Sequence, residues 1–149
     1  MLPNKLLSTI EYWFSICSTC VRWGDSFSNY IKLQCGTRQG GVLSPYLFAV
    51  YIDDIIKVIH NNNLGCMIGV VSVSIFLFAD DILLLAPSVG ALQNMLAMCE
   101  SFLGHLDMAL NAKKCVCLRI GPRYKDTCSA ITTMCGDPLV WVGLIRVVT

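Results

Sequence analysis

The stretch Phe76-Leu77-Phe78-Ala79-Asp80-Asp81-Ile82-Leu83-Leu84-Leu85 places two adjacent aspartates inside an apolar run that extends from Cys66 to Pro87. Apolar segments on both sides of a short acidic turn predict a β-hairpin. Carboxylates at a tight turn between buried strands stand on a rigid platform, and hard divalent cations such as Mg²⁺ prefer oxygen ligands. Asp80 and Asp81 are therefore candidate metal ligands, although aspartate is also common in ordinary turns.

Helical patterns surround this predicted hairpin. Apolar residues at three- and four-residue steps predict a helix from Asn4 to Thr19. Ser44-Pro45 is a typical helix start, and that helix should continue to the cluster Asn61–Gly65. Pro87-Ser88 begins another predicted helix, and a strand is expected from Cys115 to Ile120. The order of elements predicts a mixed α and β domain.

The composition is more apolar than that of most free-standing domains. Of 149 residues, 55% are hydrophobic and 14% charged, compared with about 45–50% and roughly 25% in average proteins. Two interpretations follow: a small membrane protein with an apolar hairpin, or a core that other segments cover. The carboxylates of Asp80 and Asp81 would be costly at membrane depth, which disfavours the first. A net charge of +1 provides no strong overall attraction to nucleic acid.

The nine cysteines show no clear zinc spacing. Cys17-Ser18-Thr19-Cys20 is a lone CxxC pair, and Cys115-Val116-Cys117 is too closely spaced for a usual zinc site. Nothing near Met1 resembles a secretory signal, so we expect an intracellular protein, in the nucleus or cytoplasm and not secreted. Most of the cysteines are best interpreted as small apolar core residues.

Three ordered motifs carry a family resemblance. The segment Gly36 to Phe48, which contains Arg38-Gln39-Gly40-Gly41-Val42-Leu43-Ser44-Pro45, resembles the reverse transcriptase loop that opens a helix. Phe78-Ala79-Asp80-Asp81 resembles the aromatic-Ala-Asp-Asp box of that family, and Leu110-Asn111-Ala112-Lys113-Lys114 is similar to the segment that follows it. The sequence of the first motif is most similar to that of non-LTR (LINE-type) retrotransposon enzymes. The resemblance covers roughly residues 2 to 120.

This resemblance implies an α+β fold, namely part of a polymerase palm with an antiparallel sheet and helices packed on one face. Residues 1–120 would form the partial palm, and residues 121–149 a diverged or truncated tail towards the primer-grip and thumb region. The implied activity is RNA-directed DNA polymerisation by two-metal nucleotidyl transfer, with Mg²⁺, or alternatively Mn²⁺, as cofactor. The implied partners of the intact enzyme are an RNA template, a DNA primer and a dNTP, with fingers and thumb segments and without a membrane.

The resemblance also implies roles for individual residues. Asp80 and Asp81 match the metal-binding acids, and Lys114 matches a lysine near the triphosphate that could protonate the departing pyrophosphate. A plain surface lysine is the alternative for Lys114. The substrate- and template-binding positions are Arg38, Gln39, Gly40 and Phe78. For these residues the alternatives are a solvated loop cation, a glycine turn and strand packing.

One part of the family pattern has no counterpart. The family palm uses an additional metal-binding aspartate on a strand before the first helix, and Glu11 and Asp25 lack the surrounding motif. The helical pair Asp53 and Asp54 is interpreted as structural, because adjacent helical residues point in different directions. We therefore expect a reverse transcriptase fragment that is inactive alone. A non-catalytic palm remnant is the other interpretation that the sequence leaves open.

Overall fold

The structure, a computed structural model, describes residues 3–34, 36 and 40–143. The chain divides into two compact units, Met1–Ser44 and Pro45–Thr149. The helices are α1 Asn4–Ser15, α2 Ser44–Ile52, α3 Asp54–Asn61 and α4 Val89–His105. The strands are β1 Ser18–Thr19, β2 Arg22–Trp23, β3 Ser26–Phe27, β4 Ile31–Lys32, β5 Met67–Ile68, β6 Val71–Ser72, β7 Ile75–Phe78, β8 Asp81–Leu84, β9 Val116–Leu118 and β10 Val140–Val142.

The first unit contains α1 and two short antiparallel strand pairs. Strand β1 pairs with β4, and β2 pairs with β3 across a turn at Gly24, whose φ of 60° suits glycine. The predicted first helix ends at Ser15 because Ser18 and Thr19 instead pair with β4. The alternation of apolar and polar residues from Ile31 to Gln34 predicts a strand with one buried face. That face is not buried, since Ile31 is 56% exposed and Leu33 is 39% exposed.

The core of the second unit is a helix pair covered by a hairpin. Ile55 and Ile59 lie one turn apart on α3, and Met95 and Cys99 lie one turn apart on α4. These four side chains are at most 1% exposed and cluster with Ile75 of β7. Residues four apart share one face of a helix, so each helix contributes one apolar stripe to the cluster.

A second cluster joins α4 to the carboxyl-terminal strands. Leu96, Cys117 and Ile131 are buried together, with Trp141 packed against them. Strand β10 pairs with β9 in parallel register, Trp141 opposite Cys117. The side-chain amide of Gln93 donates to the Thr132 carbonyl (2.7 Å) and accepts from the Thr132 backbone N–H (2.9 Å). These contacts attach the segment after residue 121 to α4, which also contributes to the first cluster.

The α+β class is confirmed, with differences in detail. The described strands form five two-stranded pairs, four antiparallel and one parallel. The helix predicted from Ser44 is divided at Asp53 into α2 and α3. The helix predicted at Pro87-Ser88 is confirmed, and the Ser88 hydroxyl accepts a hydrogen bond from the Ala91 N–H (3.2 Å) as an N-cap. Across residues 3–34, 36 and 40–143, no helix is long and apolar enough to cross a bilayer.

Candidate active-site hairpin

The predicted acidic hairpin is formed by β7 and β8. The register pairs Ile75 with Leu84, Leu77 with Ile82, and Phe78 with Asp81. The two turn residues are therefore Ala79 and Asp80, whereas Asp81 is the first residue of β8. The acidic pair thus spans the junction of turn and strand. The turn lies one residue earlier in the sequence than a turn made of both aspartates would.

The backbone at this turn is strained. Ala79 has a φ of 51°, in the left-handed region that glycine normally occupies. A non-glycine residue in that region costs about 1–3 kcal/mol and persists only where surrounding structure enforces it. A positive φ at the first turn residue is typical of the tight turns that close two-residue hairpins. The strain is located immediately before Asp80.

The hairpin has two different faces, because side chains alternate along a strand. Ile75, Leu77, Ile82 and Leu84 face the α3–α4 core. Phe76 and Leu83, which are paired, are about half exposed, and Phe78 is 81% exposed. Because Asp81 is paired with Phe78, its side chain belongs to this open face. The inner face fixes the hairpin, and the outer face carries Phe78 and Asp81.

Backbone contacts hold the base of the hairpin. The Leu85 N–H donates to the Ser74 carbonyl (2.8 Å), and the Cys66 N–H donates to the Leu85 carbonyl (3.1 Å). Gly65 lies so close to the buried Ser74 that an added Cβ would overlap the serine side chain and stand 2.7 Å from its Cα. From the sequence alone, Gly65 is predicted only to end a helix. The glycine in that cluster was the available signal, but only the structure shows its contact.

The two carboxylates are available for a cation. Asp80 and Asp81 are exposed, and neither side chain forms a hydrogen bond or an ion pair within the described part of the chain. Two carboxylates fit the number that Mg²⁺ usually takes from a protein, with phosphates and water completing its shell. Among the described residues, no group of three or more His, Cys, Asp or Glu side chains could hold a metal ion. Any metal bound to this pair therefore needs ligands beyond the described residues.

The thiol beneath the hairpin is a core group. Burial of Cys99, and to a lesser degree the nearby charge of Glu100, raises its pKa from 9.0 to about 12. Burial likewise raises the pKa of the Cys115 and Cys117 thiols. Raised pKa values keep these thiols protonated at neutral pH, and protonated thiols are poor nucleophiles and poor metal ligands. This agrees with their interpretation as core residues.

The remaining predicted site residues are distributed over both units. Phe78, Asp80 and Asp81 are brought together by the hairpin. Gly40 lies in the first unit, where its φ of 78° requires glycine-like freedom. Arg38 and Gln39 lie outside the described residues. Their assignment to template or substrate binding stays a prediction.

Lys114 lies in the second unit, in the turn at 112–114 that precedes β9. Its backbone N–H donates to the Asn111 carbonyl (2.9 Å), and its side chain is exposed. No ion pair joins Lys114 to Asp80 or Asp81 in the part of the chain that the structure describes. Its proposed proton transfer therefore stays a prediction. By contrast, Asp54 forms an exposed ion pair with Lys57, in agreement with a structural role.

The sequence that forms these elements matches one class of protein. The family model described as "Reverse transcriptase (RNA-dependent DNA polymerase)" matches residues 3–133, which is most of the chain. The chain belongs to the reverse transcriptase family. The sequence-based prediction of a reverse transcriptase domain of the non-LTR retrotransposon type is confirmed.

Individual relatives are Pol polyproteins of R2 elements. The chain is 28% identical over 125 residues to the retrovirus-related Pol polyprotein from type-1 retrotransposable element R2 of Nasonia vitripennis, covering 84% of this chain and 12% of that protein. It is 33% identical over 105 residues to a polyprotein of the same description from Popillia japonica, covering 69% and 15%. For the type-2 element R2DM of Drosophila melanogaster the identity is 31% over 96 residues, covering 64% and 9%. The chain thus spans less than one sixth of the length of these curated relatives.

Proposed function

We propose that this chain supplies the metal-binding hairpin of an RNA-directed DNA polymerase that acts by two-metal nucleotidyl transfer. The observation that carries this proposal is the β7–β8 hairpin. It places the unpaired carboxylates of Asp80 and Asp81 at an exposed tip, with an apolar inner face on the core. The family match supports the polymerase class, and the exposed carboxylates support a divalent cation, Mg²⁺ or Mn²⁺, at this tip.

The hairpin residues would hold the metal ions and keep their own side chains in a fixed orientation. The carboxylate oxygens of Asp80 and Asp81 would bind cations, while the strained turn and the buried inner face restrict the movement of both side chains. Bound divalent ions would stabilise charge on the attacking and leaving oxygens during phosphoryl transfer. Phe78, exposed beside Asp81, offers an apolar surface against which a sugar or base can pack.

Lys114 and the loop residues 38–40 would also take part in the reaction. The exposed ammonium of Lys114 would donate a proton to an oxygen of the departing pyrophosphate. Gly40, with Arg38 and Gln39 before it in sequence, would approach the template and the incoming dNTP. An RNA template and a DNA primer would be the other partners. Because fewer than three candidate ligands cluster among the described residues, we expect no polymerisation by the 149-residue chain alone.

Primer extension by a chimaera tests this function. The chain would replace its matching segment in the Nasonia vitripennis relative, with the unmodified relative as positive control. Extension of a primer on an RNA template with Mg²⁺, abolished by Asp80→Asn and retained in Asp137→Asn, is the expected result. A folded chimaera that does not extend the primer, while the relative does, would overturn the proposal. Extension by the isolated chain that depends on Asp80 would contradict the expected inactivity.

A further inference from the structure

A cavity of about 430 Å³ lies in the second unit, and its lining includes none of the residues assigned to the polymerase reaction. It is bounded by the end of β9, the turn segment at 124–128 and β10. Its volume is within the range of about 300–1,000 Å³ that is typical of small-molecule sites. The charged side chains of its lining are those of Arg119, Lys125 and Asp126, an excess of one positive charge.

Arg119 is a half-buried cation that lines this cavity. Among the described residues, its identified hydrogen bond runs from Nη1 to the Cys128 Sγ at 3.4 Å. It forms no ion pair with a carboxylate in residues 3–34, 36 and 40–143. A thiol is a weak acceptor, and a guanidinium has five N–H donors. Partly burying such a cation without an anion is costly, and a bound anion would offset that cost.

The neighbouring groups favour a ligand that carries both a phosphate and an aromatic ring. The Lys125 Nζ lies 5.5 Å from the centre of the Tyr124 ring, so a second cation stands beside an aromatic face. Tyr124 is 41% exposed, and Trp141 is half-buried on the same cavity. Guanidinium groups match the geometry of phosphate oxygens, and exposed aromatic rings can stack on nucleobases.

We propose that this cavity binds a nucleotide, with its phosphate held by Arg119 and Lys125 and its base against Tyr124 or Trp141. The phosphate could belong to a free nucleotide or to a single-stranded nucleic acid. Both sources share the same phosphate and base chemistry. This site is separate from the Asp80–Asp81 hairpin in its lining residues and needs no metal ion.

Calorimetric titration with adenosine 5′-monophosphate tests the site directly. The full 149-residue chain would carry Asp80→Asn, and EDTA would be present, so that binding at the hairpin does not contribute. We expect the monophosphate to bind, adenosine without phosphate to bind at least about tenfold more weakly, and added salt to weaken the binding. A pentadeoxyadenylate strand distinguishes the sources: tighter binding of the strand indicates nucleic acid, and equal binding indicates a free nucleotide.

Matched variants locate the binding. Arg119→Gln and Lys125→Gln should each reduce affinity, Arg119→Gln by about tenfold or more. Arg123→Gln removes the same charge from the same turn but does not line the cavity, so it should change affinity less than about twofold. If Arg119→Gln does not fold by circular dichroism, the exposed Lys125→Gln carries the test. No binding of the monophosphate at millimolar concentration, or equal affinities of the Arg119 and Arg123 variants, would overturn the proposal.

Alkylation of Cys128 is a second, independent test of nucleotide binding in this cavity. Because the Cys128 Sγ contacts Arg119, a bound nucleotide should slow its alkylation by iodoacetamide, measured by mass spectrometry of the peptide. Cys135 is exposed and does not line this cavity, so its alkylation is the internal control. Slower alkylation of Cys128 alone is the expected result. Equal rates at Cys128 with and without the monophosphate would place any binding elsewhere.

Discussion

Replacing Gly65 by alanine should destabilise the hairpin that carries Asp80. An added Cβ would overlap the Ser74 side chain and lie 2.7 Å from the Ser74 Cα, closer than real Cβ contacts allow. Ser74 is 3% exposed, its carbonyl accepts from the Leu85 N–H (2.8 Å), and its hydroxyl lies 2.6 Å from that of Ser72. Since a backbone atom is involved, rotation of the serine side chain cannot relieve the overlap.

The expected magnitude follows from these contacts. Overpacking a closely packed site costs about 1–3 kcal/mol. Weakening the hydrogen bond between Leu85 and Ser74 adds about 1 kcal/mol. The total of about 2–4 kcal/mol is a large part of the ~5–15 kcal/mol by which a typical domain is stable.

Urea denaturation of the purified chain measures this effect, with Gly104→Ala as the matched control. Gly104 lies in α4 with open space around it, so its replacement should be neutral or stabilise by up to about 1 kcal/mol. The double variant Gly65→Ala/Ser74→Gly removes the overlapping side-chain atoms and should recover part of the loss as a coupling energy. If Gly65→Ala and Gly104→Ala are equally stable, the close approach of Gly65 to Ser74 is wrong.

Two further predictions concern the interior. Gln93→Ala removes both hydrogen bonds to the Thr132 backbone and should lower the free energy of unfolding by about 1–3 kcal/mol, with faster hydrogen exchange at the Thr132 amide. Asn94→Ala, at the exposed neighbouring position, is the control, and equal losses for the two variants would contradict the bonding. Stability should also fall as the pH rises from about 9 towards 12, because the unfolded chain loses the Cys99 proton while the folded chain, with its Cys99 pKa of about 12, retains it. One such proton contributes a slope of at most about 1.4 kcal/mol per pH unit. Urea denaturation between pH 8 and 10 should therefore show a shallower decline in the free energy of unfolding for Cys99→Ala than for the unmodified chain. An equal decline in both proteins would show that Cys99 ionises normally.

The local elements were predictable because their signals are local. The stripe of apolar residues on α4, its serine cap and the apolar strands around Asp80 each follow from a pattern within a short segment. The family motifs identified the same hairpin. The position of the turn differs from the prediction by one residue, because the strained conformation of Ala79 gives no signal in the sequence.

The long-range contacts were not predictable. The bonds between Gln93 and Thr132 join positions 39 apart in the chain, and no periodicity marks either partner. The parallel pairing of β9 with β10 likewise depends on how both strands pack on α4. The cavity around Arg119 includes a polar turn segment whose sequence has no apolar pattern. Such features arise from tertiary packing.

Metal binding at the hairpin tip directly tests whether Asp80 and Asp81 form a cation site. Mn²⁺ would be titrated into the isotope-labelled chain, and its paramagnetic broadening of backbone amide signals recorded by NMR. We expect broadening to begin at residues 78–82 and to be lost in the double variant Asp80→Asn/Asp81→Asn. It should be retained in Asp137→Asn, which alters an exposed acid elsewhere in the chain. Broadening that persists in the double variant, or that is equally strong at all exposed acidic residues, would show that Asp80 and Asp81 do not form a cation site.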